Sequence, residues 1–117
     1  MTHVTLTVQP GQVLDQAAQA EHKKTPDLKT LQGLVGGYIE TVPHLTSVEL
    51  PGGRRVRCTA YANEEGKLNG MPKNPEMSRL WKSELLRQKP SATFSYEPEL
   101  HGPVVFVYKA PARKAET

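Results

Sequence analysis

The chain has 117 residues, 37% of them hydrophobic, with a formal charge of +3 and one cysteine. That is one domain by length, able to bury a modest core, and its charge is too small in total to identify a partner. Cys58 alone excludes an internal disulfide and a cysteine-based zinc cage, and no apolar run is long enough to span a bilayer. The N-terminus lacks the basic-then-apolar layout of a secretory signal, so the expectation is a cytoplasmic protein with no membrane association.

In chain order, His3–Val8 alternates polar residues with Val4, Leu6 and Val8, the period of a strand, and Pro10-Gly11 closes it with a turn. Gln12–Lys24 has only Val13 and Leu14 as large apolar groups and reads as a loop with one helical turn at most. Leu28, Leu31, Leu34, Val35, Tyr38, Ile39 and Val42 then recur at spacings of three and four, which predicts a helix. Thr25 or Asp27 can cap it, Pro26 suits its first turn, and Pro43 stops it. Gly33, Gly36 and Gly37 inside that pattern cost about 1 kcal/mol each in helix propensity. Two explanations stand, close packing against the sheet or approach of a ligand.

Thr46–Leu50, the Pro51-Gly52-Gly53 turn and Arg54–Tyr61 form a hairpin. Its return strand puts Val56, Cys58 and Ala60 on one face and Arg55, Arg57 and Thr59 on the other, so Arg55 and Arg57 make a candidate basic patch. Cys58 on the apolar side is a small hydrophobe. Asn63–Gly66 is a turn, and Lys67–Gly70 a short extended piece. A second helix runs from the Asn74 cap through Pro75 and Glu76 to about Leu86, with Met77, Leu80, Trp81 and Leu85 as its apolar stripe. Ser91–Tyr96 and Val104–Lys109 read as strands separated by a Pro98–Pro103 loop. The whole predicts an α+β domain over residues 1–109, a small mainly antiparallel sheet with the glycine-bearing helix on one face and a second short helix. Residues 110–117 read as a disordered tail.

Catalytic signatures are absent. The four histidines have no ligand spacing, Glu64 and Glu65 are neighbours that a strand would point apart, and no nucleophile elbow, phosphate loop or dinucleotide fingerprint occurs. No enzyme, metal or cofactor is expected. Hydrogen-bonding side chains instead concentrate in one loop, Asn63, Glu64, Glu65, Lys67, Asn69, Lys73 and Asn74, and with Tyr38 of the preceding helix these form the expected binding surface. Turn geometry and helix capping account for part of that composition.

Two segments, LQGLVGGYIETV at Leu31–Val42 and NEEGKLNGMPKN at Asn63–Asn74, carry a resemblance. They are similar to the motifs of a domain-of-unknown-function family, number 3846, spread through phages, plasmids and bacterial genomes. The matching positions are Leu31, Gln32 and Val35 to Glu40, then Asn63 to Leu68, Gly70, Pro72 and Asn74. Gly102-Pro103-Val104-Val105 is similar to the family's ending, so the resemblance spans about Leu28 to Val107. The chain departs from it at Arg54–Arg57 and at Ser91–Leu100. The resemblance implies a fold and a distribution but no activity. The expected function is a small binding protein of phage- or plasmid-associated type, acting on or against a host system. It would capture a host protein or other macromolecule, or a small anionic ligand such as a nucleotide. The alternative is a nucleic-acid-binding accessory protein that uses the basic hairpin.

Overall fold

β1 (Thr2–Val8) and β7 (Val104–Ala110) carry the β-branched runs near the two ends of the chain, and they pair antiparallel along their whole length, from Thr2↔Ala110 to Val8↔Val104. This computed structural model describes residues 2–95 and 97–110. β2 (Ala18–His22) adds outside β1, while β6 (Thr59–Asn63) and then β3 (Ile39–Thr41) add beyond β7. The result is a five-stranded sheet of order β2-β1-β7-β6-β3, antiparallel throughout, beside a separate hairpin of β4 (Ser47–Glu49) and β5 (Arg55–Arg57). The class is α+β.

Alternation along the strands gives the sheet two apolar faces. On one, Val4, Leu6, Val8, Ala60, Ala62, Val104 and Phe106 pack with Val48 and Val56 of the hairpin and Met77 of α2 (Pro75–Gln88). On the other, Val105 meets Leu31 and Val35 of α1 (Leu28–Val35), with Leu34, Ile39, Tyr61 and Val107 half-buried around them. The sheet is therefore the middle of three layers, and central β7 supplies both cores. Asn74 caps α2 by accepting from the Met77 amide, with Pro75 in the first turn as expected. Trp81 is half-buried against the larger core and donates from Nε1 to the Pro43 carbonyl at 2.8 Å.

α1 is shorter than its apolar spacing predicts. It ends at Val35, where Gly36 turns left-handed at φ 80°, and the Gly36 and Gly37 amides both donate to the Gln32 carbonyl, at 2.9 and 3.1 Å. Glycine at that position terminates the helix seven residues before Pro43. Ile39 continues the apolar pattern only because β3 returns it to the same core. Leu28 and Tyr38, expected on the buried stripe, are 59% and 66% exposed. Asp27 provides the cap, accepting from the Thr30 amide at 2.8 Å, so Pro26 precedes the helix and is not in its first turn.

Three further expectations are corrected. β2 occupies residues read as loop: its side chains are exposed apart from partly covered His22, so an edge strand left no alternation to detect. Residues 67–70 are turns, because Asn69 and Gly70 donate to the Glu65 and Lys67 carbonyls at 2.8 and 3.2 Å. Residues 91–95 form no strand, since β7 already has β1 and β6 at its sides; Thr93 and Phe94 lie beside Trp81 and Leu85 instead. Tyr96, the last residue of that expected strand, falls outside the described residues. Of the expected tail, Ala110 closes β7, and residues 111–117 also fall outside the description.

Candidate functional site

The polar loop is built into the fold through its two asparagines. Asn63 is 5% exposed; its Nδ2 donates to the Val35 carbonyl at 3.2 Å and its Oδ1 accepts from the Glu65 amide at 2.8 Å. It thereby satisfies the last turn of α1 and starts the loop in one residue. A Cβ at Gly37 would lie 2.8 Å from that Nδ2, which is why the second glycine is needed. The Glu64 amide donates to Tyr38, and β3 pairs Ile39 with Asn63, so the two motif segments are stitched together by backbone. Asn74 is fully buried. Besides capping α2, its Nδ2 donates to the carbonyls of Val8 and Gly102 at 3.0 and 3.1 Å, tying together three parts of the chain.

The charges of the loop also have partners. Lys67 and Lys73 lie 3.9 and 3.6 Å from Glu99, which also meets His101 Nε2 at 3.3 Å. The His101 hydrogen bond, followed by both lysines, holds the Glu99 carboxyl below the usual carboxylate range. Glu64, Glu65, Asn69 and Tyr38 remain on the surface. Glu40 and Glu64 share a cleft of about 240 Å³ with Trp81 and His101, where burial and then the Glu64 charge push the Glu40 carboxyl up. Among the described residues, no three His, Cys, Asp or Glu side chains gather to hold a metal ion.

The basic hairpin divides. Arg55 Nη1 donates to Ser47 Oγ at 2.8 Å and to Glu84 Oε1 at 2.9 Å, while Arg87 donates to Glu84 Oε2 at 2.7 and 3.0 Å. Burial raises the Glu84 carboxyl, but the hydrogen bonds from Arg87 and Arg55 outweigh it and the group ends below the usual range. Arg55 thus belongs to an ion-paired clamp between hairpin and α2, and does not stand beside Arg57 as a free pair. Cys58 lies close by, its thiol pushed up to about 11 chiefly by burial and then by Glu84, so it is protonated at neutral pH.

Arg57 opens onto a different feature, a groove of about 650 Å³ between β5 and the end of β7. It arises from a change of strand partner. β6 pairs with β7 as far as Thr59↔Val107, and the same register carried two residues back would set Arg57 against Lys109. Like charges directly opposite destabilise a ladder. At Cys58 the chain turns away, its amide donating to Thr46 and joining β4. Tyr108 to Ala110 therefore have β1 on one side and no strand on the other. Arg54, Arg55, Arg57, Lys109 and His3 line the gap, with Tyr61, Tyr108, Val107, Thr25 and Thr59. Among the described residues no Asp or Glu lines it, and only Arg55 of these cations has an acidic partner, Glu84. Among the described residues Arg54, Arg57 and Lys109 have no carboxylate within ion-pair distance. His3 is cross-strand neighbour to both Lys109 and His22. Its Nε2 lies 3.1 Å from Thr25 Oγ1, and its Nδ1 is buried without a partner among the described residues.

Sequence reasoning singled out Arg55 and Arg57, both of which line this groove, and missed Lys109 and His3 as their neighbours there. The signal available was Lys109 at the end of the most apolar strand, but only the change of strand partner at Cys58 shows that it shares a gap with Arg57. No curated protein and no solved structure matches the chain. A family model matches it from end to end, beyond the two motif segments and the closing Gly102–Val105. Over residues 1–117, the chain belongs to the family described as Domain of unknown function (DUF3846).

Proposed function

We propose that the protein is a binding protein that captures an anionic ligand in the groove between β5 and β7. The observation that carries this reading is the cluster of Arg54, Arg57, Lys109 and His3 around one concavity that no Asp or Glu lines among the described residues. Arg55, also on the groove wall, is paired with Glu84. Outside the groove Lys67, Lys73, Arg79, Lys82 and Arg87 have acidic partners, whereas Lys23, Lys24, Lys29 and Lys89 have none among the described residues but are scattered on the surface. Holding unneutralised cations together costs stability, and an anion between them relieves it. The volume lies within the range of small-molecule sites. The reading is capture: the thiol in the groove is held protonated, and the Thr25 hydroxyl beside His3 Nε2 supplies a further hydrogen-bonding group for an anion. The spread of the resembling family through phages and plasmids supplies a setting, action on or against a host system in the cytoplasm. Among the described residues no helix is long and apolar enough to cross a membrane.

Thermal shift against inorganic phosphate, nucleotides, and short DNA and RNA tests the reading. A ligand should raise the melting temperature of the wild type and leave an Arg57→Ala, Lys109→Ala variant unmoved. The variant alone should be at least as stable as the wild type, since it removes a repulsion. A ligand that stabilises both proteins equally would place its site outside the groove.

Nucleic acid is the second reading, favoured by Lys23 and Lys24, which continue from His22 toward Thr25 at the groove margin. It requires binding that weakens steeply with salt, with a slope that falls by about one for each phosphate-contacting cation removed.

A further inference from the structure

Resting on that groove, we infer that the ligand is a nucleoside phosphate, bound as a single unit with its phosphate at the mouth and its ring inside. The inference comes from the order of side chains along the face that α1 covers. Along the groove the order is Arg57 and Lys109, which line it without pairing because β5 has turned away to β4, then the paired rungs Thr59 with Val107 and Tyr61 with Val105. The two rungs lie two residues apart, about 6–7 Å along the strands.

The three positions differ in chemistry. The first is cationic, with His3 alongside Lys109. The second offers the exposed Thr59 hydroxyl over a half-buried valine. The third is an aromatic ring beside Val105, which is wholly buried. A phosphate held between Arg57 and Lys109 accepts hydrogen bonds and charge from both. That position sets a sugar at Thr59 and directs a planar base to Tyr61, where stacking tolerates any base. The phosphate also bridges the two strands at the point where like charge keeps them apart.

At the Tyr61 end of the groove, Tyr61 and Val107 pack against the cluster of Leu31, Val35 and Val105 beneath α1, an apolar boundary where no cation among the described residues holds a continuing backbone. A polynucleotide needs a track through which its backbone continues, whereas a ligand with one ring and one terminal phosphate ends where the groove ends. Tyr61 is the one aromatic ring among the described residues of the Thr59–Val107 and Tyr61–Val105 rungs, with Tyr108 on the opposite face of β7, so the groove offers no row of rings for a strand of bases.

Titration calorimetry at low salt with inorganic phosphate, a nucleoside, its 5′-monophosphate and a short oligonucleotide decides the matter. The monophosphate is expected to bind about tenfold more tightly than inorganic phosphate, the difference being the stacked ring. Arg57→Ala with Lys109→Ala should abolish binding of both. Tyr61→Leu should bring the monophosphate down to the affinity of phosphate and leave phosphate itself unchanged. Tyr61 is partly core, so Thr59→Glu at an exposed position is the second variant; its carboxylate should repel the monophosphate without unfolding the chain. Equal binding of phosphate and monophosphate would overturn the ring assignment while the groove reading stands. Binding of the oligonucleotide alone would overturn it in favour of a polymer. If no anion binds, the groove reading falls as well.

Discussion

β6 carries two contrasting regions at its ends. At the Asn63 end a dense set of polar side chains is consumed by the fold: Asn63 and Asn74 are buried and bonded, and Lys67 and Lys73 approach Glu99. At the Thr59 end a sparse set of cations lies around a groove, and among the described residues Arg54, Arg57 and Lys109 there have no acidic partner. In sequence the first looks like a site and the second like ordinary solvated charge. The difference teaches that density of polar residues measures how much hydrogen bonding a segment must arrange, whereas a site is marked by groups left without internal partners.

The largest break in that comparison is Asn74→Ala. It removes the α2 cap and leaves the Val8 and Gly102 carbonyls without their donor in a fully buried place. The expected cost is about 2–4 kcal/mol in denaturant unfolding. A loss under about 0.5 kcal/mol, the level of an ordinary surface change, would mean that Asn74 is not structural.

The Glu84 clamp should give an acid signature. Its folded carboxyl lies below the ordinary value of 4.5, so its contribution is complete above that value and is lost as pH falls through the lower folded value. Glu84→Gln is expected to cost about 2 kcal/mol at neutral pH, since both arginines stay half-solvated, with the gap to wild type closing below about pH 4.5. A gap that stays constant from pH 7 to about pH 3 would exclude this linkage.

The glycines sharpen the reading of the motif. Gly37→Ala drives a methyl group into the buried Asn63 amide and should cost about 1–2 kcal/mol. Gly33→Ala points into open space in the middle of α1 and should stabilise by about 0.5–1 kcal/mol. The contrast is read from a pair of melting curves. If both variants lose stability, α1 is covered by something at Gly33.

Much of this fold was legible in the sequence, for reasons that also show where reading stopped. β1, β7 and α2 have apolar periods that match their buried faces, and the Asn74-Pro75 start of α2 is a cap that works within a few residues. The expected return strand Arg54–Tyr61 is instead two strands, β5 in the hairpin and β6 in the main sheet, because the chain changes partner at Cys58. The end of α1 was misread because Ile39 and Val42 continue a helical spacing by accident of where β3 and the following turn place them. Gly36-Gly37 carried the stronger signal. β2 is an edge strand with no buried face and had nothing to declare itself. The groove depends on Arg57 and Lys109, 52 positions apart in the chain, being set around one gap where the chain changes partner between β7 and β4, which only the strand pairing reveals.

The smallest expected effect separates the two regions most directly. Glu65 contributes its backbone amide to Asn63, not its carboxylate, and Lys67 is 79% exposed at 3.9 Å from Glu99. An ion pair so solvated is worth little, so Glu65→Ala with Lys67→Ala should leave the melting curve within about 0.5 kcal/mol of wild type. The same variant should bind any groove ligand as the wild type does, because neither residue lines the groove. Lost binding with intact folding would return the site to the loop. The surface-exposed Glu64, Asn69 and Tyr38 would then be its remaining contacts, and the cations near Thr59 would be solvated charge after all.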